Sequence, residues 1–267
     1  MKVVVCTKQT PSTTAVFTVE NGQVSWTDPS GDKPNVVNPW DEYAIEEAIT
    51  LTEKHGATEA IALTVGAPEA DEALKTCLAM GCSQAIRVTD ETFYGSDSLG
   101  TARILAAALN KVGDVQIAVF GKQAIDGDTG QLPVQVARKL GWTPLTYVSE
   151  IKSIADGQIT VERLVEDGRE TVTANLPVVV SVVKEINEPR YPSFMGIRKA
   201  SRAKIPAWSA DDLEIEGGGY GATASKADWS HVYPMPAREG SVEIIEADTV
   251  EEQARILVDK LFEEKVI

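Results

Sequence analysis

The sequence predicts an α/β fold in which a mostly parallel sheet carries helices on both faces, followed by an irregular C-terminal arm ending in a helix. The sheet is predicted by short runs rich in valine and isoleucine that alternate with helical patterns. Glycines at 56, 81 and 141 stand where those helical patterns stop. The arm is predicted by a loss of periodicity beyond about residue 190, broken only by a last amphipathic stretch.

The first run, Lys2–Thr7, is short, apolar and rich in valine, and fits a strand buried on both faces. VFTVENGQVSWT follows, with Asn21-Gly22 between alternating stretches, which specifies a hairpin. Past the prolines at 34 and 39, Asp41 opens a helix whose Ile45, Ala48, Ile49 and Thr52 share one face. Strand Ala60–Val65, helix Ala70–Met80, strand Ala85–Val88, helix Ser98–Asn110, strand Val115–Phe120 and helix Gln131–Leu140 continue the alternation. Such a chain winds by right-handed crossovers. Ile159–Leu164 and Glu170–Ala174, joined through Asp167-Gly168, read as an antiparallel pair, and Val178–Val183 as a buried strand. Residues 1–190 are expected to form one α/β domain and 191–267 an arm. In the arm, residues 216–221 hold a glycine run, and the last helix sets Val250, Ala254, Leu257, Val258, Leu261 and Phe262 on one stripe.

Composition narrows the function. With 267 residues, 43% of them hydrophobic, the chain can bury a sizeable core, which excludes disorder as its main state. Its 40 acidic against 25 basic residues leave a net charge of -15, which repels a phosphate polyanion and argues against nucleic acid as a partner. A small nucleotide is different, because backbone amides can hold it locally. The 3 cysteines lack metal-ligand spacing, so neither a disulfide framework nor a metal site is expected, and a reducing compartment is. The opening MKVVVCTKQTP reads as an immediate first strand, with too short an apolar run for a secretory signal. No apolar run is long enough to insert in a membrane. A cytoplasmic protein is expected.

Ligands of parallel sheets sit beyond the carboxyl ends of the strands. Three segments fall there. In GKQAIDGDTGQLP, residues 121–133, Gly121, Gly127 and Gly130 permit sharp turns and close approach. Asp128 or Thr129 could cap the following helix and leave amides for a phosphate, or the segment is simply a capped glycine loop. Asp126 and Asp128 alone are weak grounds for magnesium. In FYGSDSLGTA, residues 93–102, Ser96, Ser98 and Thr101 could donate to an anion or serve only as a cap with spare hydroxyls. In VVNPWDEYA, residues 36–44, Asn38 could bind a base or ribose, or Asp41 caps the helix with no ligand required.

Catalytic groupings are scarce. His55 and His231 both read as surface residues, no serine sits in a nucleophile elbow, and no cysteine has an activating histidine nearby. The adjacent Glu46 and Glu47 point different ways on a helix. One local reversal of charge stands out: Arg190, Arg198, Lys199, Arg202 and Lys204 interleave with Tyr191, Phe194, Met195 and Ile197. That composition suits either a solvated face or a docking site with an apolar anchor and a charged rim.

Taken together, VVNPWDEYAIEEA, GKQAIDGDTGQ, VERLVEDGRETVTANLPVVVS and EINEPRYPSFMGIRKA resemble the beta subunits of electron-transfer flavoproteins along nearly the whole chain. The resemblance implies a Rossmann-like, adenine-nucleotide-binding domain and a heterodimer with an alpha subunit, on which the C-terminal arm packs. It places a nucleotide among Cys6, Asn38, Pro39, Trp40, Asp41, Val65 and the loop Lys122, Gln123, Ala124, Ile125, Asp126, Gly127, Asp128, Thr129, Gly130, Gln131. It makes Tyr191, Phe194, Met195 and Ile197 a docking surface, with Phe194 the anchor, for an acyl-CoA dehydrogenase, a ferredoxin or flavodoxin, or a quinone reductase.

Simpler members hold AMP in this site. Electron-bifurcating members hold a second FAD that takes hydride from NADH, and use a glycine and hydroxyl motif similar to Gly95, Ser96, Ser98 and Thr101. Ser98 and Gly100 replace the threonine and alanine usual there, and a serine keeps the donor, so FAD is favoured over AMP. Leu164 stands after Arg163 where many members carry an acid, so a salt bridge to that position is missing or Glu166 supplies it. Two other readings compete. A freestanding nucleotide-binding regulator would need neither the docking segment nor the arm. An adenylating enzyme would need a pyrophosphate loop where this chain has CTKQTP.

Overall fold

The alternation begins at once. After β1 (Lys2–Cys6) come a short β2 (Gln9–Pro11), the hairpin of β3 (Val16–Glu20) and β4 (Gln23–Thr27), and β5 (Asn35–Val37), which pairs back on β2. Then α1 (Pro39–Lys54), β6 (Glu59–Val65), α2 (Asp71–Met80), β7 (Gln84–Val88), α3 (Ser98–Val112), β8 (Val115–Gly121) and α4 (Leu132–Leu140) follow in turn. The chain continues through β9 (Thr143–Ala155), β10 (Gln158–Val165), β11 (Gly168–Asn175) and β12 (Val178–Val182). Last come α5 (Phe194–Ala200), β13 (Ala207–Trp208), α6 (Ala210–Leu213) and α7 (Val250–Glu263). The computed structural model describes residues 1–31, 35–215, 218–227, 231–234, 236 and 240–267. The proline at 34 and the glycine-run positions 216 and 217 lie outside the described residues.

A sheet of 9 strands runs β11-β10-β9-β12-β8-β1-β6-β7-β13. The strands from β12 to β13 are all parallel to their neighbours, and β9, β10 and β11 form an antiparallel extension. From β1 the chain moves outward to β6 and β7, then returns to β8 on the opposite flank of β1. That reversal opens a crevice at the carboxyl ends of β1 and β8.

Strand alternation divides the core between the two faces. Val3 and Val5 meet Ile45, Leu51, Leu74 and Cys77 of α1 and α2, while Val4 meets Ile104, Leu105, Leu109 and Val136 of α3 and α4. All are buried, and each large aliphatic side chain contributes roughly 1.5–3 kcal/mol.

Two details differ from the pattern read in the sequence. α1 starts at Pro39 rather than Asp41, with Asn38 as the preceding residue and the proline at a first-turn position that has no hydrogen bond to lose. β9 had no single period to read, because its first half pairs in parallel with β12 and its second half antiparallel with β10. Tyr147, at φ 56°, marks the irregularity between them.

Contacts divide the chain into Met1–Val232 and Tyr233–Ile267. Residues beyond 190 contribute to the first unit, since α5 packs on α2 and β13 extends the sheet from β7. In the second, the side chains of Leu257, Val258 and Phe262 on α7 are exposed.

Candidate functional site

Asn38 and Asp41 stand one turn apart at the start of α1, so their side chains share a face. Both are buried. The Asn38 amide donates to the Gln123 carbonyl at 2.8 Å and its oxygen accepts from the Ile125 N–H at 3.2 Å. Asp41 accepts from the Lys8 N–H at 2.8 Å and from the Gly121 N–H at 3.2 Å. These residues therefore tie the ends of β1 and β8 to the loop that follows β8. Neither caps α1 through its side chain. Burial raises the Asp41 carboxyl to about 7, against the lowering effect of those N–H donors. Gly121 must be glycine, because a Cβ there would overlap the Asp41 carboxylate and the Trp40 carbonyl.

Around this knot lies a cleft of about 730 Å³. Of the residues read from the sequence, Cys6, Asn38, Asp41, Val65, Gly95, Ser96, Ser98, Thr101, Gln123, Ala124, Asp126, Gly127, Asp128, Thr129, Gly130 and Gln131 line it. Pro39, Trp40, Lys122 and Ile125 are not among the lining residues; Lys122 Nζ lies 4.1 Å from the centre of the Trp40 ring. Lys8 and Asp126 form an ion pair of 2.6 Å between the β1 and β8 loops. Cys6 is buried, which with the nearby Asp41 charge pushes its thiol well above the ordinary value and leaves it unreactive.

The helix starts correct two sequence readings. Neither Asp128 nor Thr129 caps α4: the helix begins at Leu132, preceded by Gln131, with no capping side chain. Asp128 instead turns the loop at φ 53°, with its carboxylate bonded to the Gln123 side-chain amide. The amides opening α4 are thus left for another acceptor. At α3 the cap is Asp97, which accepts from Gly100 N–H at 2.8 Å.

The hydroxyls before α3 also have internal partners. Ser96 Oγ donates to the Phe93 carbonyl at 2.7 Å and accepts from the Gly221 N–H at 2.7 Å. Thr101 donates to the Asp97 carbonyl at 2.9 Å. The Lys226 N–H reaches Asp97 at 2.8 Å, and such backbone bonds hold this carboxyl below its usual range. A strap of residues 218–227 is therefore seated on the turn before α3, and Lys226 and Ala227 join the cleft wall. No local pattern announces these two positions, which reach the site only through long-range folding. Asp97 was legible as a short acid directly before a helix.

Elsewhere, Tyr191, Phe194, Met195 and Ile197 are exposed, Tyr191 by 96% and Phe194 by 79%. Glu46 and Glu47 take different partners: Glu46 meets Arg190 at 2.9 Å and Glu47 meets Asn187 at 3.1 Å. Arg163 meets Glu170 at 3.0 Å and donates to Thr146 at 2.7 Å. Among the described residues, no group of three or more His, Cys, Asp or Glu is placed to hold a metal, and no helix is long and apolar enough to cross a membrane.

The family model of the electron transfer flavoprotein domain matches residues 30–213. The chain belongs to the electron-transfer flavoprotein family. It is 38% identical, over the full length of both chains, to the caffeyl-CoA reductase-Etf complex subunit CarD of Acetobacterium woodii. It is 35% identical, again over both full lengths, to the electron transfer flavoprotein subunit beta of Clostridium acetobutylicum. Protein FixA of Bradyrhizobium diazoefficiens is 34% identical over 97% of this chain and 90% of its own. The electron-transfer flavoprotein match covers β5 to α6, which contains most of the cleft.

Proposed function

We propose that this chain is the beta subunit of a heterodimeric electron-transfer flavoprotein, that its cleft holds an adenine nucleotide, and that the nucleotide is FAD. Electrons would pass between NADH or dehydrogenases and a redox partner, by bifurcation where FAD fills the site. The observation that carries the reading is the cleft at the strand-order reversal, with the uncapped start of α4 on one side and the seated turn before α3 on the other.

The residues fit such a ligand. The amides at the start of α4 would receive a phosphate, while Asn38 and Asp41 hold the loop that presents them. Val65 and the apolar ends of β1 and β8 would exclude water from the base. Ser98 is the hydroxyl of the motif that forms no hydrogen bond among the described residues, and it would donate to a second phosphate. Bound FAD supplies an acceptor for hydride from NADH. Similarity to a protein named as a subunit of a caffeyl-CoA reductase-Etf complex supports electron transfer within a larger redox assembly.

One observation favours AMP instead. With Ser96 and Thr101 bonded internally and Asp97 already capping α3, few donors remain for a diphosphate at that end.

Co-expression with an alpha subunit, denaturation and identification of the released nucleotides by mass decides between them. FAD in 2:1 ratio to the heterodimer supports the reading. Equal amounts of FAD and AMP would make the chain a structural nucleotide-binding subunit.

The exposed Tyr191–Ile197 segment would dock a redox partner. Its rim of Arg198, Lys199, Arg202 and Lys204, all exposed on a chain of net charge -15, calls for an apolar pocket bordered by acidic groups. An acyl-CoA dehydrogenase is the partner class proposed for it.

A further inference from the structure

We infer that Arg190 and Gly196 are positioning residues that hold the exposed Tyr191–Ile197 segment in a fixed shape before any partner arrives. The inference rests on the docking reading above and concerns how that surface is built.

An exposed apolar segment would ordinarily fold back on the protein or sample many shapes, and ordering it on binding would weaken docking. Here it is pinned at both ends. Arg190 precedes Tyr191 and carries a planar fork shared between two carboxylates of α1. Its Nε and Nη2 reach Glu46 at 2.9 Å each, and its Nη1 and Nη2 reach Glu53 at 2.8 and 2.9 Å. The Arg190 N–H also reaches Glu46, at 3.1 Å, so backbone and side chain are held together. Just upstream, the Asn187 amide donates to the Tyr43 carbonyl and to Glu47, both at 3.1 Å. Glu46 and Glu47 are both buried, an expensive place for two adjacent acids unless both have partners. Lysine could not replace the arginine, since a single ammonium cannot span both carboxylates in this geometry.

The second pin is steric. Gly196 lies against the end of α2, where a Cβ would overlap the Ala79 carbonyl oxygen. Ser193 caps the short α5 by accepting from the Gly196 N–H at 2.9 Å. Tyr191, Phe194 and Met195 between the pins, and Ile197 directly after the second, are exposed. Both pins are on unit Met1–Val232 and hold to α1 and α2, helices packed on the sheet.

The test uses the complex with the alpha subunit and an acyl-CoA dehydrogenase that the wild-type complex reduces. Arg190→Met and, separately, Gly196→Ala are compared with Phe194→Ala. Trypsin cleavage after Arg198 and Lys199 is expected to speed up at least tenfold in the two pin variants and to stay at the wild-type rate in Phe194→Ala. The KM for the dehydrogenase is expected to rise several-fold in all three, with kcat and nucleotide content unchanged. Arg190→Lys should behave like Arg190→Met.

Wild-type cleavage rates in both pin variants would overturn the inference. So would faster cleavage with an unchanged KM, if Phe194→Ala still raises it. Faster cleavage with an unchanged KM in all three variants would leave the pins standing as structure and remove the docking reading itself.

Discussion

Asp41 is the residue at which fold and function meet, because one carboxylate closes three segments around the cleft. Burial raises it to about 7, so the folded protein holds a proton there that the unfolded chain, near 3.8, has released. The sign follows from linkage: the folded state binds more protons between those values, so this group's contribution to stability falls as pH rises from about 4 to about 7 and is fully lost above that. The span corresponds to at most about 4 kcal/mol. Asp41→Asn removes the titration, so its stability relative to wild type should improve from pH 5 to pH 8 in urea unfolding. A constant difference across that range would refute the assignment. Asn38 has no such compensation. Asn38→Ala leaves the Gln123 carbonyl and the Ile125 N–H without their partner and should cost about 1–3 kcal/mol, with a fall in bound nucleotide.

At the scale of elements, the parallel strands and their helices were legible because each is a local pattern closed by a local stop: Gly81 and Gly141 end α2 and α4 as read. β10, β11 and their turn were legible for the same reason. β9 was not, since its two halves obey different neighbours. The site was readable as a set of loops, and the structure brings most of those residues to one cleft. What the loops do there was only partly readable, because Ser96 resembles a ligand donor in sequence, yet its hydroxyl donates to the nearby Phe93 carbonyl and gains a second partner in Gly221 when residues 218–227 arrive. The strap can be tested by one glycine. Gly221, at φ 78°, has no room for a Cβ beside the Thr92 carbonyl, so Gly221→Val should unseat the strap at a cost of about 1–3 kcal/mol and lower nucleotide retention in the purified complex. Gly22→Val, at φ 75° in the β3–β4 hairpin with open space around it, carries similar backbone strain far from the cleft in sequence. Equal nucleotide loss in both variants would show that the strap has no specific part in the site.

For the whole molecule, the division after Val232 separates two kinds of stability. The unit Met1–Val232 contains the sheet, both layers of buried aliphatic side chains and the complete cleft, so its folding is driven by its own apolar core. The segment Tyr233–Ile267 is different. Thr249 caps α7 by accepting from the Glu252 N–H at 3.2 Å, and acids fill the first turn, so the helix is well begun. Yet no residue of α7 is buried, and Val250, Leu257, Val258 and Phe262 are exposed. A helix of 14 residues with an uncovered apolar stripe gains most of its stability from whatever covers that stripe. On the proposed function, the cover is the alpha subunit. A chain ending at Val232 should therefore keep a melting temperature within a few degrees of the full chain when each is measured alone. Co-expressed with the alpha subunit, the full chain should copurify in equal amounts, and the shortened chain should lose at least most of that association. Undiminished copurification of the shortened chain would place the heterodimer contact on the α/β unit alone. A collapse in its melting temperature would mean instead that the last 35 residues belong to the fold rather than to the partner.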